Sequence, residues 1–213
     1  MDYNLQSEAM KDCCAVTPDV SPRQRRVLHF VLWINFAMFL AELVAGIAGR
    51  STALLADSAD MLGDALVYGF SLYAVARGPV WLARAAMLKG TIMMLFSVIV
   101  LAEVAWKVAR GVAPAAEVMG GVGLLALGAN AVCLLLLWSR RGDDINMKSA
   151  WLCSRNDVAA NVGVLLAAGG VAVTGSGWPD ILVGLVIAAL FVGAATVVLL
   201  EAVQALRLGP RPN

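Results

Sequence analysis

The chain has 213 residues, of which 61% are hydrophobic and only 15% charged, and its mean hydropathy is +0.80, whereas a soluble domain is about half apolar and a quarter charged. The formal net charge of +1 gives no basic or acidic surplus that would point to nucleic acid as a partner. Four cysteines, Cys13, Cys14, Cys133 and Cys153, make no disulfide framework of the kind that staples small secreted domains.

The first 26 residues are polar and precede any apolar run, which is the wrong order for a cleaved signal peptide, so residues 1–26 are expected to form a retained, flexible tail. The apolar residues that follow fall in blocks of about 20, the length that crosses roughly 30 Å of hydrocarbon. Six spans are predicted: 27–48, 51–76, 85–106, 118–138, 149–173 and 181–200. Short connections with Gly and Pro at their ends separate them, as where helices stop. The expected architecture is an all-α bundle of six transmembrane helices over residues 27–201, followed by a short tail at 202–213 that leaves no room for a soluble C-terminal domain. Lys11, Arg23, Arg25, Arg26, Arg77, Arg84, Arg140, Arg141, Lys148, Arg207 and Arg211 fall on the N-terminal side of the spans, against mainly Arg50 and Arg110 on the other. Cytoplasmic loops carry the excess of Lys and Arg, so both termini are expected in the cytoplasm.

Span two reads STALLADSADMLGDALVYGF and places Asp57, Asp60 and Asp64 in a segment otherwise fit for lipid. A single charge at the bilayer centre costs at least about 3 kcal/mol, so three carboxylates imply that they face protein or water and have a partner. Their spacings of three and four residues share one helical face. Span five carries Cys153, Asp157 and Asn161, again on one stripe.

Depth brings the two sets together. Entering from outside, span two carries Asp60 and Asp64 to roughly 9–15 Å from the cytoplasmic face, and span five, entering from inside, lifts Cys153 and Asp157 roughly 7 and 14 Å above it. Asp60, Asp64, Cys153 and Asp157 would then make a four-coordinate cage suited to zinc and similar cations. Asp57 and Asn161 are read as supporting residues, and vicinal Cys13 and Cys14 as a metal-capture pair at the cytoplasmic entrance. The plainer alternative is a buried ion pair with Arg155 or Lys89, or a proton path without metal. Arg155 lies two positions from both Cys153 and Asp157 and so points to the other side of its helix. Cys133 and the lone His29 are read as packing and interfacial residues.

At these residues the chain resembles the cation diffusion facilitator family, which exports zinc and related divalent ions from the cytoplasm in exchange for protons. ADSADMLGD (Ala56 to Asp64) is similar to the family's second-helix signature, and CSRNDVAANVGVL (Cys153 to Leu165) to its fifth-helix signature. Asn35, Glu42 and RAAMLKG (Arg84 to Gly90) are similar to weaker family features. Two departures stand out: Cys153 replaces the family's histidine, and the family's cytoplasmic ferredoxin-like domain is not expected after the last span. A thiolate favours zinc, cadmium or another thiophilic ion over manganese or magnesium. In the family the ferredoxin-like domain supports dimerisation, so a homodimer here would rest on transmembrane helix contacts. The resemblance implies a multi-pass protein of a bacterial plasma (inner) membrane, with divalent metal ions and protons as partners beside membrane lipid and no prosthetic group. Zinc is the first expectation, with cadmium, cobalt, iron and mercury as further candidates. A non-transporting metal buffer or sensor is the rival reading, and a membrane enzyme ranks last because no base lies at the depth of the cluster.

Overall fold

A computed structural model describes residues 21–74, 79–139, 141–142 and 145–208. Cys13 and Cys14, the expected metal-capture pair, lie outside them. The described residues form six helices: α1 (Pro22–Gly49), α2 (Thr52–Ala74), α3 (Pro79–Arg110), α4 (Ala116–Trp138), α5 (Ile145–Thr174) and α6 (Trp178–Leu208). Several run past the apolar spans that announce them. α1 begins five residues early because Ser21 and Gln24 form a reciprocal capping box ahead of Pro22, which satisfies backbone donors that the first turn leaves open. α6 continues to Leu208, past the expected boundary at 201, since no breaker comes before Gly209-Pro210.

Five of the six helices are long and apolar enough to cross a membrane; α2 is not among them. Its exclusion has a plain cause, the three aspartates of span two. The bundle accommodates α2 by placing it at the centre, packed against α1, α3, α5 and α6. Asp57, Asp64 and Tyr68 on it are buried, as are Ala53, Leu54 and Met61. The outer faces of the surrounding helices carry the lipid-compatible surface: Leu135 on α4 is 71% exposed and Val173 on α5 88%. The chain is therefore a multi-pass membrane protein, with its charged helix shielded by apolar neighbours.

α1 and α2 are joined by a turn in which Arg50 takes a left-handed conformation (φ 51°) and its N–H donates back to α1 carbonyls. The two helices then run antiparallel in close contact, so near that a Cβ on Gly46 would stand 3.1 Å from the Leu55 backbone nitrogen. This register sets Glu42 of α1 opposite Ala59, between Asp57 and Asp60 of α2. On the other side, Gly123 of α4 meets Val164 and Leu165 of α5, which brings Asn130 level with Asp157.

The start of α2 is fixed by residues far away in sequence. Asp180, at the start of α6, accepts from Ser51 Oγ (2.6 Å), Thr52 N–H (2.8 Å) and Ala53 N–H (3.0 Å). Lys107, at the end of α3, pairs with Asp180 at 3.0 Å, and both side chains are wholly buried. Its ammonium also donates to Thr52 Oγ1 at 2.7 Å and to the Arg50 carbonyl. The carboxylate thus serves the open donors and the positive end of α2 from another helix, while Ser51 Oγ accepts from Leu54 N–H at 3.1 Å. Removing one partner strands the other in a dry interior, at a cost of about 3 kcal/mol or more. Lys107→Ala and Asp180→Ala are each expected to lower the thermal unfolding midpoint of the detergent-purified protein, and Lys107→Met/Asp180→Asn to cost less than the two single losses added together.

Candidate metal centre

Antiparallel register arranges the polar side chains of α1, α2, α4 and α5 in successive layers along the bundle. Asp57 comes first along α2, about level with Asn161 of α5. About one helical turn further along, Asp60 lies near the level of Glu42 of α1 and, through the contact of Asn130 with Met61, of Asn130 and Asp157. A further turn along is Asp64, which the contact of Tyr68 with Ala150 puts near the level of Cys153.

One tie between α2 and α5 is explicit. Tyr68 Oη lies 3.1 Å from Asp64 Oδ2 and 3.4 Å from the Ala150 carbonyl oxygen, so a single hydroxyl sits between α2 and α5. Its one proton serves whichever oxygen it faces, and Asp64 is the nearer. The hydroxyl therefore holds the Asp64 carboxyl against the inner end of α5, toward Cys153 and Asp157.

Asp64, Asp157 and Cys153 are buried and Asp60 half-buried. Asp157 feels the charges of Asp64, Asp60, Asp57 and Glu42, so the carboxylates of three helices share one interior. Among the described residues no three His, Cys, Asp or Glu side chains are already drawn into a metal-holding group. The four expected ligands line one interior without being closed on a point. Cys153 is disulfide-bonded in this structure, and in that state its sulfur offers no thiolate; a sulfur ligand belongs to the reduced protein. Cys133 is free and buried and packs among Tyr68, Leu137 and Met147, as a core filler.

The plainer reading of these charges receives a partial answer. Arg155 is exposed and lies over the Trp151 ring at 5.5 Å, on the side of α5 away from Asp157. Lys89 of α3 is buried, and its charge acts on both Asp60 and Asp64. One cation therefore offsets part of the α2 charge, and the carboxylates around it outnumber it.

What most distinguishes this interior is its surplus of acceptors. Both oxygens of Glu42 and of Asp57, Asp157 Oδ2, and the amide oxygens of Asn35, Asn130 and Asn161 are all buried without a hydrogen-bond donor. The amide nitrogens are spoken for: Asn35 donates to the Val31 carbonyl at 2.9 Å, Asn161 to the Asp157 carbonyl at 2.8 Å, and Asn130 to Met61 Sδ at 3.7 Å. Buried acceptors left open in such number are costly without a donor or a cation, and their chemistry is that of oxygen ligands for a positive ion. Asn130 escapes a reading that looks for charge, although it is the lone amide in the otherwise apolar α4 segment. Tyr68 escapes it as well, since its role depends on a contact across 82 residues.

The family model of the cation efflux transmembrane domain matches residues 28–79 and 84–207. The metal cation efflux system protein CzcD of Cupriavidus metallidurans is 27% identical over 176 residues, which cover 75% of this chain and 56% of that protein. The cation efflux system protein CzcD of an Alcaligenes species gives the same values. The human calcium/manganese antiporter SLC30A10 is 48% identical over a segment of 54 residues, 24% of this chain and 11% of that protein. The chain thus spans a little over half the length of the two bacterial relatives.

If the Tyr68 hydroxyl positions Asp64, Tyr68→Phe should leave the bundle folded and weaken metal binding by about tenfold, the usual scale for losing a group that orients a ligand. Competition with a chelating dye in detergent would measure it.

Proposed function

We propose that this chain, which belongs to the cation efflux family, exports a divalent metal ion from the cytoplasm in exchange for protons. The observation that carries the reading is the set of carboxylates on α2 and α5, with Asp64 and Asp157 buried and Asp60 half-buried, in a bundle interior whose open acceptors exceed its donors. An interior of this kind gains from a dication more than from any side chain within reach.

The transported ion is held by Asp60, Asp64 and Asp157, with Cys153 as a fourth ligand when reduced; Asp57 and Asn161 support them. Closing these groups on one ion requires small movements of α2 against α5, which the shared Tyr68 hydroxyl already links. With all four ligands ionised the cage carries four negative charges, of which a dication offsets half. Lys89 and protons take up part of the remainder. Metal binding then displaces protons, and proton binding displaces metal, which is the coupling an antiporter needs. Alternating access follows from rocking the bundle about this interior. The first turns of α2 and α6 and the last turn of α3 are tied together by Lys107 and Asp180, so release at that end requires the tie to shift or the ion to pass beside it.

The sulfur ligand points to zinc or another thiophilic ion. The two bacterial relatives are named as cation efflux proteins, which agrees with export, and the surplus of basic residues on the N-terminal side orients both termini to the cytoplasm of a bacterial plasma membrane.

The reading predicts that reduced, purified protein in proteoliposomes moves zinc in a manner that responds to an imposed pH gradient, and that Asp64→Ala and Asp157→Ala reduce this flux to background. Cys153→His should keep transport and change the order of preference among zinc, cadmium and manganese. Metal binding without flux would instead identify a membrane metal buffer.

A further inference from the structure

Glu42 and Asp57 form a second pair of carboxylates on different helices, Glu42 beside the level of Asp60 and Asp57 about a turn beyond it. Both side chains are completely buried, and all four of their oxygens lack a hydrogen-bond donor. The α1–α2 register sets Glu42 between Asp57 and Asp60, and Glu42 feels the charge of both. At the same level the Asn161 amide has given its N–H to the Asp157 carbonyl and keeps a buried, unpartnered oxygen. The positive charges of the interior are committed elsewhere: Lys107 to Asp180, and Lys89 acting on Asp60 and Asp64.

We propose that Glu42 and Asp57, with the Asn161 amide oxygen, form an outward station that binds the exported divalent cation after it leaves the inner cage. The proposal rests on the transport reading above and adds a second binding point to it. The pair of carboxylates matches the charge of a dication. Its donor set is oxygen alone, without the sulfur of the inner cage, so it suits hard ions and holds thiophilic ones less tightly. A softer inner site followed by a harder outer one, about one to two helical turns apart, lets an ion leave stepwise, the multi-site logic by which permeation pathways avoid trapping their cargo. Its position beside the Lys107–Asp180 tie, inside the α2 turn that Asp180 caps, makes it the last protein-lined stop before the outside.

Manganese is the probe that separates the two sites, because it prefers oxygen and its unbound form is counted directly by electron paramagnetic resonance. In the full-length chain carrying Asp64→Asn/Asp157→Asn, which disables the inner cage, one manganese ion per chain is expected to remain bound. Adding Glu42→Gln or Asp57→Asn should abolish that binding. In an otherwise intact chain, Glu42→Gln alone should leave zinc bound at the inner cage, which also reports that the size-conserving variant folds. No manganese on the Asp64→Asn/Asp157→Asn chain, as expected if the pair simply shares a proton, would overturn the station. So would manganese binding that survives both outer substitutions, or loss of zinc in the Glu42→Gln chain, which would make the pair a structural element of the bundle. Failure of the inner cage itself reads differently: zinc binding in the intact chain would then be unaffected by Asp64→Asn/Asp157→Asn.

Discussion

A carboxylate inside hydrocarbon persists only where other protein groups or a bound charge answer it, and α2 carries three of them. The remaining architecture follows from that constraint. α2 sits at the centre of the bundle, α1, α3, α5 and α6 wrap it, and the surfaces left toward lipid are leucine- and valine-rich. A helix too charged to cross a membrane alone becomes a membrane helix because its neighbours supply the solvent it needs. The same arrangement turns its aspartates inward, onto the face that meets Asn35 and Glu42 of α1, Asn130 of α4 and Asp157 of α5.

The bundle answers its buried carboxylates in two distinct ways. Asp180 is fully served, by an ammonium, a hydroxyl and two backbone amides, and its work is to fix the outer end of α2. Glu42 and Asp57 have no donor at all, and Asp157 has an open oxygen. The contrast separates a carboxylate whose oxygens are served by the fold from carboxylates whose oxygens are left open, although all of them are buried. It also gives the interior a direction: closed and satisfied where α2 begins, acceptor-rich further along it.

Much of this was legible in the sequence, for identifiable reasons. Span lengths and the three- and four-residue spacing of Asp57, Asp60, Asp64, Cys153, Asp157 and Asn161 depend on local periodicity, which a chain displays directly. Helix ends were less legible, because the capping box at Ser21 and Gln24 and the run of α6 to Leu208 depend on hydrogen bonding and on the absence of breakers rather than on hydropathy. The Lys107–Asp180 pair spans 73 residues, and nothing local in either helix announces it. Asn130 and Tyr68 became visible only once register placed them beside Asp64 and Asp157. Cys153 presented its spacing in the sequence but not its oxidation state, which decides whether a sulfur is there to bind.

The central claim is that carboxylates of α2 and α5 close on a single cation inside the membrane. Zinc K-edge X-ray absorption on the reduced full-length chain, loaded with one equivalent of zinc, tests it most directly. The account predicts about four ligands, oxygens near 2.0 Å with one sulfur near 2.3 Å, and loss of that shell in Asp64→Asn/Asp157→Asn. A shell of water oxygens only, or one unchanged by that double substitution, would contradict it.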